Sequence, residues 1–367
     1  MSIRRRAVVC AALVSLVLGA VVGPVSAAPA AQLSVNVLIG TACLSGSGPA
    51  ETRHHLALFT KYGKLRSWFA ARSDGDGAWE GCFPGGLFGG INGGDRIRVR
   101  AAGTEKTVKV PKLVLRIDRV ADTISGRVAP GQAVTLLIVP GGFGIGGRDD
   151  PIIANAAGDG EGRYTARVRK QRDLRGADTV LAVTPPPCLE GVCELPPGTD
   201  SFQLLAGVPF VSIHFGSNEL SGWSVNTQPS FKLFSPKGER KGGATTNNLI
   251  FGLYFAKMTN RFGNAAYPEA RDIVTSDIAS DARLVVPASR LQASYRSDTV
   301  SGRCMANARY LLTSSDSGLQ TRGRTGADGT FTRDFGGKVN LLRGERVTLA
   351  CAYPTGDLFQ RTVATQR

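Results

Sequence analysis

The sequence is poor in the residues that most often carry enzymatic chemistry. Only three of its 367 residues are histidines. It contains neither a Gly-x-Ser-x-Gly nor a His-Glu-x-x-His motif, and no Asp or Glu pair stands apart from the turn residues. These absences remove the usual signatures of serine hydrolases and zinc peptidases. The sequence therefore predicts a protein that is not an enzyme.

Motifs for metals and cofactors are also lacking. No Cys-x-x-Cys pair occurs, so a metal site built from thiolates is not expected. Asp74-Gly75-Asp76-Gly77 lacks the other ligands of an EF-hand and is typical of a hairpin turn. No helical pattern follows the glycines from Gly141 to Gly147, as a phosphate-binding loop would require. We predict no metal and no cofactor.

A long apolar stretch occurs once, at the N-terminus. Three arginines at positions 4 to 6 precede the stretch from Ala7 to Gly23, and the small-residue sequence Val25-Ser26-Ala27 follows it. This order of basic, apolar and small residues is typical of a secretory signal peptide. We predict that residues 1–27 are a signal peptide. No later segment approaches eighteen apolar residues, so a secreted, extracellular protein without a transmembrane anchor is expected.

The remaining chain repeats itself at an offset of 176 residues. Leu44-Ser45-Gly46 recurs as Leu220-Ser221-Gly222, and residues 122–127 recur as residues 298–303. Further matches have a slightly shorter offset, among them Leu174-Arg175-Gly176 with Leu342-Arg343-Gly344. Self-similarity over a long period indicates one structural plan used more than once.

Alternation of apolar and polar residues dominates between these matches. In the segment from Val211 to Phe215, for example, the apolar residues Val211, Ile213 and Phe215 would share one face of a strand. Ser212 and His214 would lie on the other face. Clusters of Gly and Asp separate such segments, and the chain has 46 glycines. Period-two alternation between turns of this kind predicts half-buried antiparallel strands and an all-β fold.

The repeat divides the chain into four modules, in an A-B-A′-B′ duplication. Val110-Pro111 and Val286-Pro287 mark equivalent module boundaries, because proline suits the first residue of a new strand. We predict tandem β-sandwich modules with the following bounds. Module A covers 32–110, module B 111–206, module A′ 207–286 and module B′ 287–367.

Six cysteines remain outside the signal peptide, and an even number in an exported chain favours disulfides. In the repeat, Cys304 aligns with Val128 and Cys351 with Val183. Both positions are apolar in one copy and cysteine in the other, as expected if they face each other in the core. Pairing within modules predicts the bridges Cys43–Cys82, Cys188–Cys193 and Cys304–Cys351.

The formal net charge is +15, and it falls to +12 without the three arginines of the signal peptide. A basic exported protein attracts anionic partners. Arginines such as Arg96, Arg98 and Arg100 alternate along their strand, however, which is typical of the solvent-facing side of a sheet. The expected partners are anionic envelope polymers, glycans or another surface protein, with no specific nucleic acid.

Two glycine-rich segments carry large apolar side chains. Because loops run over the surface, these side chains are candidates for contact with a ligand. The alternative is that they fold back over the core of their own sandwich. The candidate ligand-binding residues are Phe83, Leu87, Phe88 and Ile91 in module A, and Phe143 and Ile145 in module B.

Module B′ carries the clearest motifs: Asp298-Thr299-Val300-Ser301-Gly302, the turn at residues 327–331, and Leu342-Arg343-Gly344 before a strand. In these motifs it resembles exported bacterial immunoglobulin-like β-sandwich repeat modules, although it lacks their usual tryptophan between the cysteines. The resemblance implies a secreted, non-catalytic structural or adhesive repeat protein of the bacterial cell envelope or extracellular space. The alternative is a protein that binds carbohydrate or an anionic polymer through exposed glycine- and aromatic-rich loops.

Overall fold

The structure is a computed structural model that describes residues 32–84, 90–141, 151–171, 173–185, 198–248, 252–336 and 339–366. These residues form 28 strands and no α-helix, so the predicted all-β class is confirmed. The first fourteen strands are β1 (Ser34–Ile39), β2 (Cys43–Ser47), β3 (Arg53–Phe59), β4 (Leu65–Arg72), β5 (Ala78–Cys82), β6 (Arg96–Ala101), β7 (Thr104–Lys109), β8 (Val114–Asp118), β9 (Thr123–Arg127), β10 (Ala133–Val139), β11 (Ile152–Ala157), β12 (Arg163–Arg167), β13 (Thr179–Thr184) and β14 (Ser201–Gly207). The second fourteen are β15 (Phe210–Phe215), β16 (Glu219–Trp223), β17 (Ser230–Phe234), β18 (Arg240–Thr245), β19 (Leu253–Lys257), β20 (Ile273–Ser276), β21 (Arg283–Val285), β22 (Arg290–Ser294), β23 (Thr299–Arg303), β24 (Arg309–Ser314), β25 (Gln320–Arg324), β26 (Thr330–Asp334), β27 (Arg346–Ala352) and β28 (Leu358–Ala364).

The described residues divide into two compact units. Unit 1 comprises residues up to Lys112 together with 132–135 and 183–203, and unit 2 comprises 113–131, 136–182 and everything from Leu204 onward. No helix in the described part of the chain is long and apolar enough to cross a membrane. The division into four modules remains a prediction.

The second fourteen strands repeat the arrangement of the first fourteen. In unit 2 a seven-stranded sheet has the order β19-β16-β15-β28-β27-β24-β25, with smaller sheets β18-β17-β20-β21 and β22-β23-β26. Each of the first fourteen strands has neighbours equivalent to those of the strand numbered fourteen higher. The corresponding orders are β5-β2-β1 in unit 1, β14-β13-β10-β11 mostly in unit 2, and the smaller sheets β4-β3-β6-β7 and β12-β9-β8. The sequence repeat is therefore a duplication of strand order.

Strands from the predicted modules A′ and B′ lie in one sheet. Strand β15 pairs in parallel with β28, and Ser212 lies opposite Leu358. Apolar side chains from both modules, among them Tyr254, Tyr310 and Phe359, belong to a single buried cluster. Their burial removes apolar surface from water along this shared sheet, which favours its folding as one body.

A glycine faces an aromatic ring in each predicted module. An apolar-Ser-Gly sequence occurs in β2, β9, β16 and β23. Its glycine lies directly opposite an aromatic residue of the neighbouring strand in the sheet, which is β5, β12, β19 and β26 respectively. The ring covers the glycine, which has no side chain to fill that space. The four pairs are Gly46 with Trp79, Gly126 with Tyr164, Gly222 with Tyr254, and Gly302 with Phe331.

A second shared feature is a buried acid directly before a strand. The carboxylate accepts a hydrogen bond from the backbone N–H of the residue three positions earlier. The residue directly before each acid has a positive φ. This bond satisfies a backbone donor that the turn would otherwise leave buried without a partner. The acids are Asp95, Asp178, Asp272 and Glu345, and they precede β6, β13, β20 and β27.

Two of the three predicted disulfides are present. Cys43 and Cys82 lie directly opposite each other on β2 and β5, and Cys304 is joined to Cys351. In the second copy, Glu219 and Lys257 occupy the register of the first bridge and form an ion pair at 3.9 Å. Cys188 and Cys193 lie outside the described residues.

Candidate functional site

The structure places two of the candidate ligand-binding residues in the core, which is the second of the two alternatives left open by the sequence. Phe83 is 3% exposed, its N–H donates to the Ala42 carbonyl, and its ring packs edge-on against Phe69 at 4.9 Å. Ile91 is fully buried, and its N–H donates to the Thr41 carbonyl. Both side chains fold back into the core, and these backbone bonds tie their segments to the turn between β1 and β2. Leu87, Phe88, Phe143 and Ile145 lie outside the described residues.

Two of the three histidines, His54 and His214, are hydrogen-bonded within the fold and shielded from solvent. His54 is buried, with Nδ1 3.0 Å from the Thr52 carbonyl oxygen, and burial lowers its pKa. His214 has Nε2 3.1 Å from the Ser221 hydroxyl, and burial lowers its pKa as well. Desolvation disfavours the charged imidazolium, so both rings are expected to be neutral near pH 7.

The acidic segment at Asp74 forms a turn. One oxygen of its carboxylate accepts hydrogen bonds from the N–H groups of Asp76 and Ala78, at 3.0 and 2.8 Å. This bonding to the local backbone is the usual role of aspartate in tight turns. Within the described residues, no three His, Cys, Asp or Glu side chains are grouped as metal ligands would be.

Unit 2 contains a cleft with a volume of about 840 Å³. It lies where the turn before β13, strand β21, the segment between β23 and β24, and the turn between β27 and β28 come together. Apolar side chains such as Met305 and Leu358 form part of its wall. The charged residues that line it are Arg175, Asp178, Arg283, Arg309 and Arg324.

The charge of the cleft is predominantly positive. The carboxylate of Asp178 already accepts hydrogen bonds from the N–H groups of Gly141 and Arg175, at 2.8 and 3.0 Å. Nη1 of Arg324 donates to the Asn307 carbonyl at 3.3 Å. Guanidinium groups present several donors in one plane and match carboxylate or phosphate oxygens. The arrangement is chemically suited to a ligand with more than one acidic group.

Next to this cleft lies a buried arginine. Arg119, in the turn after β8, donates through Nη1 and Nη2 to the two carboxylate oxygens of Asp357, at 3.1 and 3.0 Å. Nη1 also donates to the Pro209 carbonyl at 2.7 Å, and Nε donates to Asp281 at 2.9 Å. The side chains of Arg119 and Asp357 are 2% and 0% exposed. Burial disfavours the charge of Arg119, but the two carboxylates outweigh it and raise its pKa.

This network, which we call the Arg119 clamp, supports the wall of the cleft. The N–H of Gly176 donates to the Thr355 carbonyl at 2.8 Å, and the Thr355 hydroxyl donates to Asp357 at 2.7 Å. A methyl group on Gly176 would lie 3.1 Å from Nη1 of Arg119. Sequence reasoning missed the clamp, since the partners of Arg119 lie 90, 162 and 238 positions away.

Comparisons with solved structures give matches over most of the chain with little sequence identity. A tetra-tandem repeat from the extending region of a large adhesion protein is 15% identical, with 92% of this chain and 100% of that chain covered and a TM-score of 0.17. The BSP domain of a biofilm associated protein is 8% identical, with 94% and 99% covered and a TM-score of 0.19. Native E. coli alpha-2-macroglobulin is 11% identical, with 93% and 30% covered and a TM-score of 0.18.

TM-scores this low carry no inference about function. No protein-family model matches the sequence. No curated protein matches it either.

Proposed function

We propose that the chain is a secreted, non-catalytic structural or adhesive repeat protein of the bacterial cell envelope or extracellular space. The proposal includes export with cleavage near residue 27 and four immunoglobulin-like modules. The observation that carries it is the Arg119 clamp, which joins residues of the predicted modules B, A′ and B′. An adhesive protein must keep its modules from separating when it is pulled, and the four hydrogen bonds of Arg119 hold segments of the three predicted modules together.

Retention on the cell envelope tests this function. The mature chain, residues 28–367, would be incubated with whole cells or isolated envelope and then washed. We expect a retained fraction larger than that of an unrelated protein with a similar basic charge. Complete recovery in the wash would contradict the adhesive role. The control matters because a net positive charge alone attracts proteins to anionic surfaces.

The arginine-lined cleft favours a second candidate function, the binding of a small anionic ligand. Its guanidinium groups support this alternative, whereas burial of Phe83 and Ile91 weighs against a binding site built on the glycine-rich loops. Titration calorimetry with citrate, phosphate and a neutral sugar would test it. We expect heat from an anion, and its loss in an Arg175→Gln/Arg283→Gln variant. Equal heats in variant and parent would exclude the cleft.

A further inference from the structure

One side of the sheet β4-β3-β6-β7 in unit 1 faces the core, and the other faces solvent. Leu56 and Leu58 of β3 and Ile97 and Val99 of β6 are buried. Because side chains alternate along a strand, the intervening residues point outward. We call this outward side the basic face, and its composition follows from the register of the four strands.

The register brings cations from all four strands to the basic face. Arg72 lies opposite Arg53, His55 opposite Arg100, and Arg96 opposite Lys109. One acid shares the face: Glu105 is paired with Arg100 and also lies 3.4 Å from Arg98. The cationic residues of the face are Arg53, Arg72, Arg96, Arg98, Arg100 and Lys109. Six cations against one carboxylate leave a strong positive potential.

An exposed indole lies among these cations. Trp68 is 63% exposed and lies opposite Ala57, which in turn lies opposite Arg98. The guanidinium of Arg98 sits over the ring of Phe59, 4.8 Å from its centre. Phe59 is therefore covered, whereas the indole of Trp68 is open to a ligand.

The second copy provides an internal comparison. In the equivalent sheet β18-β17-β20-β21, Ile273 and Thr275 take the places of Arg96 and Arg98, and Asp277 follows at the place of Arg100. Gly243 lies opposite Lys232, where the basic face has Trp68. The outward cations of this second face are Lys232, Arg240 and Arg283. The charge and the indole are thus properties of one copy and are not needed for this sheet to form.

We propose that the basic face binds an anionic polysaccharide, with acidic groups of the glycan on the arginines and a sugar ring on Trp68. The inference rests on the proposed adhesive function and names the class of ligand for it. Alternate residues of a strand are about 7 Å apart and strands about 4.8 Å apart, so the cations span more than one small anion can contact. A chain with repeated charges can pair with several guanidinium groups at once.

The single open indole favours a glycan over nucleic acid. Proteins that bind single strands without sequence preference stack successive bases on several aromatic side chains. On the described basic face, Trp68 is the one large aromatic ring that is open, since Arg98 covers Phe59 and the other exposed ring is the small imidazole of His55. One ring is enough to stack the apolar side of a single sugar, while the arginines hold the acidic groups on either side.

Binding measurements on the mature chain test the proposal. The probes are alginate, which carries carboxylates, heparin, which carries sulfates, neutral dextran, and single-stranded poly(dT). We expect alginate or heparin to bind more tightly than poly(dT), binding to weaken with added salt, and no binding of dextran. Tighter binding of poly(dT) than of both charged glycans would overturn the proposal, as would equal binding of dextran.

Variants locate the site. Arg96→Gln/Arg100→Gln and Trp68→Ala should each raise the Kd for the preferred glycan by about tenfold or more. The matched control Lys232→Gln/Arg240→Gln, on the second face, should change it by less than about twofold. Arg96→Lys/Arg100→Lys should retain most of the binding. Circular dichroism and unfolding midpoints check that each variant is folded, and unchanged affinity in the folded face variants would overturn the inference.

The envelope assay separates this inference from the proposed function. If the parent and the Arg96→Gln/Arg100→Gln variant are equally retained on envelope, adhesion stands and the basic face is not its site. If neither is retained although the parent binds glycan through the face, the glycan site stands and adhesion to that envelope fails. Loss of retention in the face variant alone supports both.

Discussion

The guanidinium of Arg119 and the carboxylate of Asp357 form a bidentate pair inside unit 2, although 238 positions separate them in the sequence. Asp357 also accepts a hydrogen bond from the N–H of Val211 at 2.7 Å. Arg119 is therefore compensated by both Asp357 and Asp281, whereas the buried carboxylate of Asp357 depends on Arg119 for a cation. Removing Arg119 leaves that carboxylate buried without a cation, which costs much more than the pair contributes by itself.

We expect Arg119→Met to lower the free energy of unfolding by about 3–5 kcal/mol, because Asp357 and Asp281 lose their shared cation. Urea unfolding followed by tryptophan fluorescence measures this change. The control is Arg116→Met, at a residue of the adjacent strand β8 without a role in the clamp, which should alter stability by less than about 0.5 kcal/mol. Equal effects of the two variants would contradict a buried clamp.

The glycines of the apolar-Ser-Gly motif should not tolerate even a methyl group. In Gly46→Ala the new Cβ would overlap the Ser34 carbonyl oxygen and the ring of Trp79. We expect a loss of about 2–3 kcal/mol in unfolding free energy from this overpacking. Gly75→Ala is the matched control, since nothing lies within 4 Å of its Cβ position. A Gly46→Ala variant as stable as the control would refute the steric argument.

The bridge between Cys304 and Cys351 closes a loop with a sequence separation of 47 residues. Replacing both by alanine should cost about 3–4 kcal/mol, from the freedom that the unfolded chain regains. Replacing both by valine should cost less, because valine fills more of the buried space, as Val128 does in the first copy. Denaturant unfolding without reductant compares the variants with the parent. Equal stability of all three proteins would contradict this prediction.

Glu345 should make the protein sensitive to acid. Burial raises the pKa of its carboxyl, but hydrogen bonds from Ser314, Ser317 and the N–H of Leu342 outweigh that effect and lower the pKa to about 2. A carboxyl with a depressed folded-state pKa stabilises the fold above its unfolded value, here 4.5, and loses that contribution as the pH falls towards 2.

We therefore expect Glu345→Gln to be less stable than the parent at pH 7, by on the order of 3 kcal/mol, and the gap to close between pH 4.5 and 2. Urea unfolding at pH 7, 4.5, 3.5 and 2.5 measures the gap. A constant difference across that range would mean that the Glu345 carboxylate does not titrate as its surroundings imply. Glu239→Gln, at an exposed turn residue, serves as the control.

Sequence reasoning anticipated the parts of the fold that depend on local patterns. Alternation of apolar and polar residues predicted the strands, and Leu44-Ser45-Gly46 with Leu220-Ser221-Gly222 revealed the duplication. It did not anticipate that β15 and β28 would pair in parallel, which places strands of A′ and B′ in one sheet. The local sequence of a strand does not reveal which distant strand it pairs with, because many different sequences can pair with the same strand edge.

The candidate site was harder to predict. Phe83 and Ile91 stand among glycines, and the sequence left open whether they are exposed or fold back over the core. Backbone hydrogen bonds to residues 41 and 42 hold them in the core. Arg119 stands in an ordinary polar turn and is nevertheless buried. In each case the environment is set by segments far away in the chain, and composition around the residue is a poor guide to it.

By itself, the sequence determined an all-β chain, its internal duplication and the two observed disulfide pairings, since these follow from side-chain period, turn chemistry and aligned positions. Only the tertiary structure decided which charges act together. Arg53, Arg72, Arg96 and Lys109 are dispersed along the chain, and antiparallel register brings them to one face of one sheet. The physical reason is that electrostatic potential depends on distance in space, and strand pairing sets that distance.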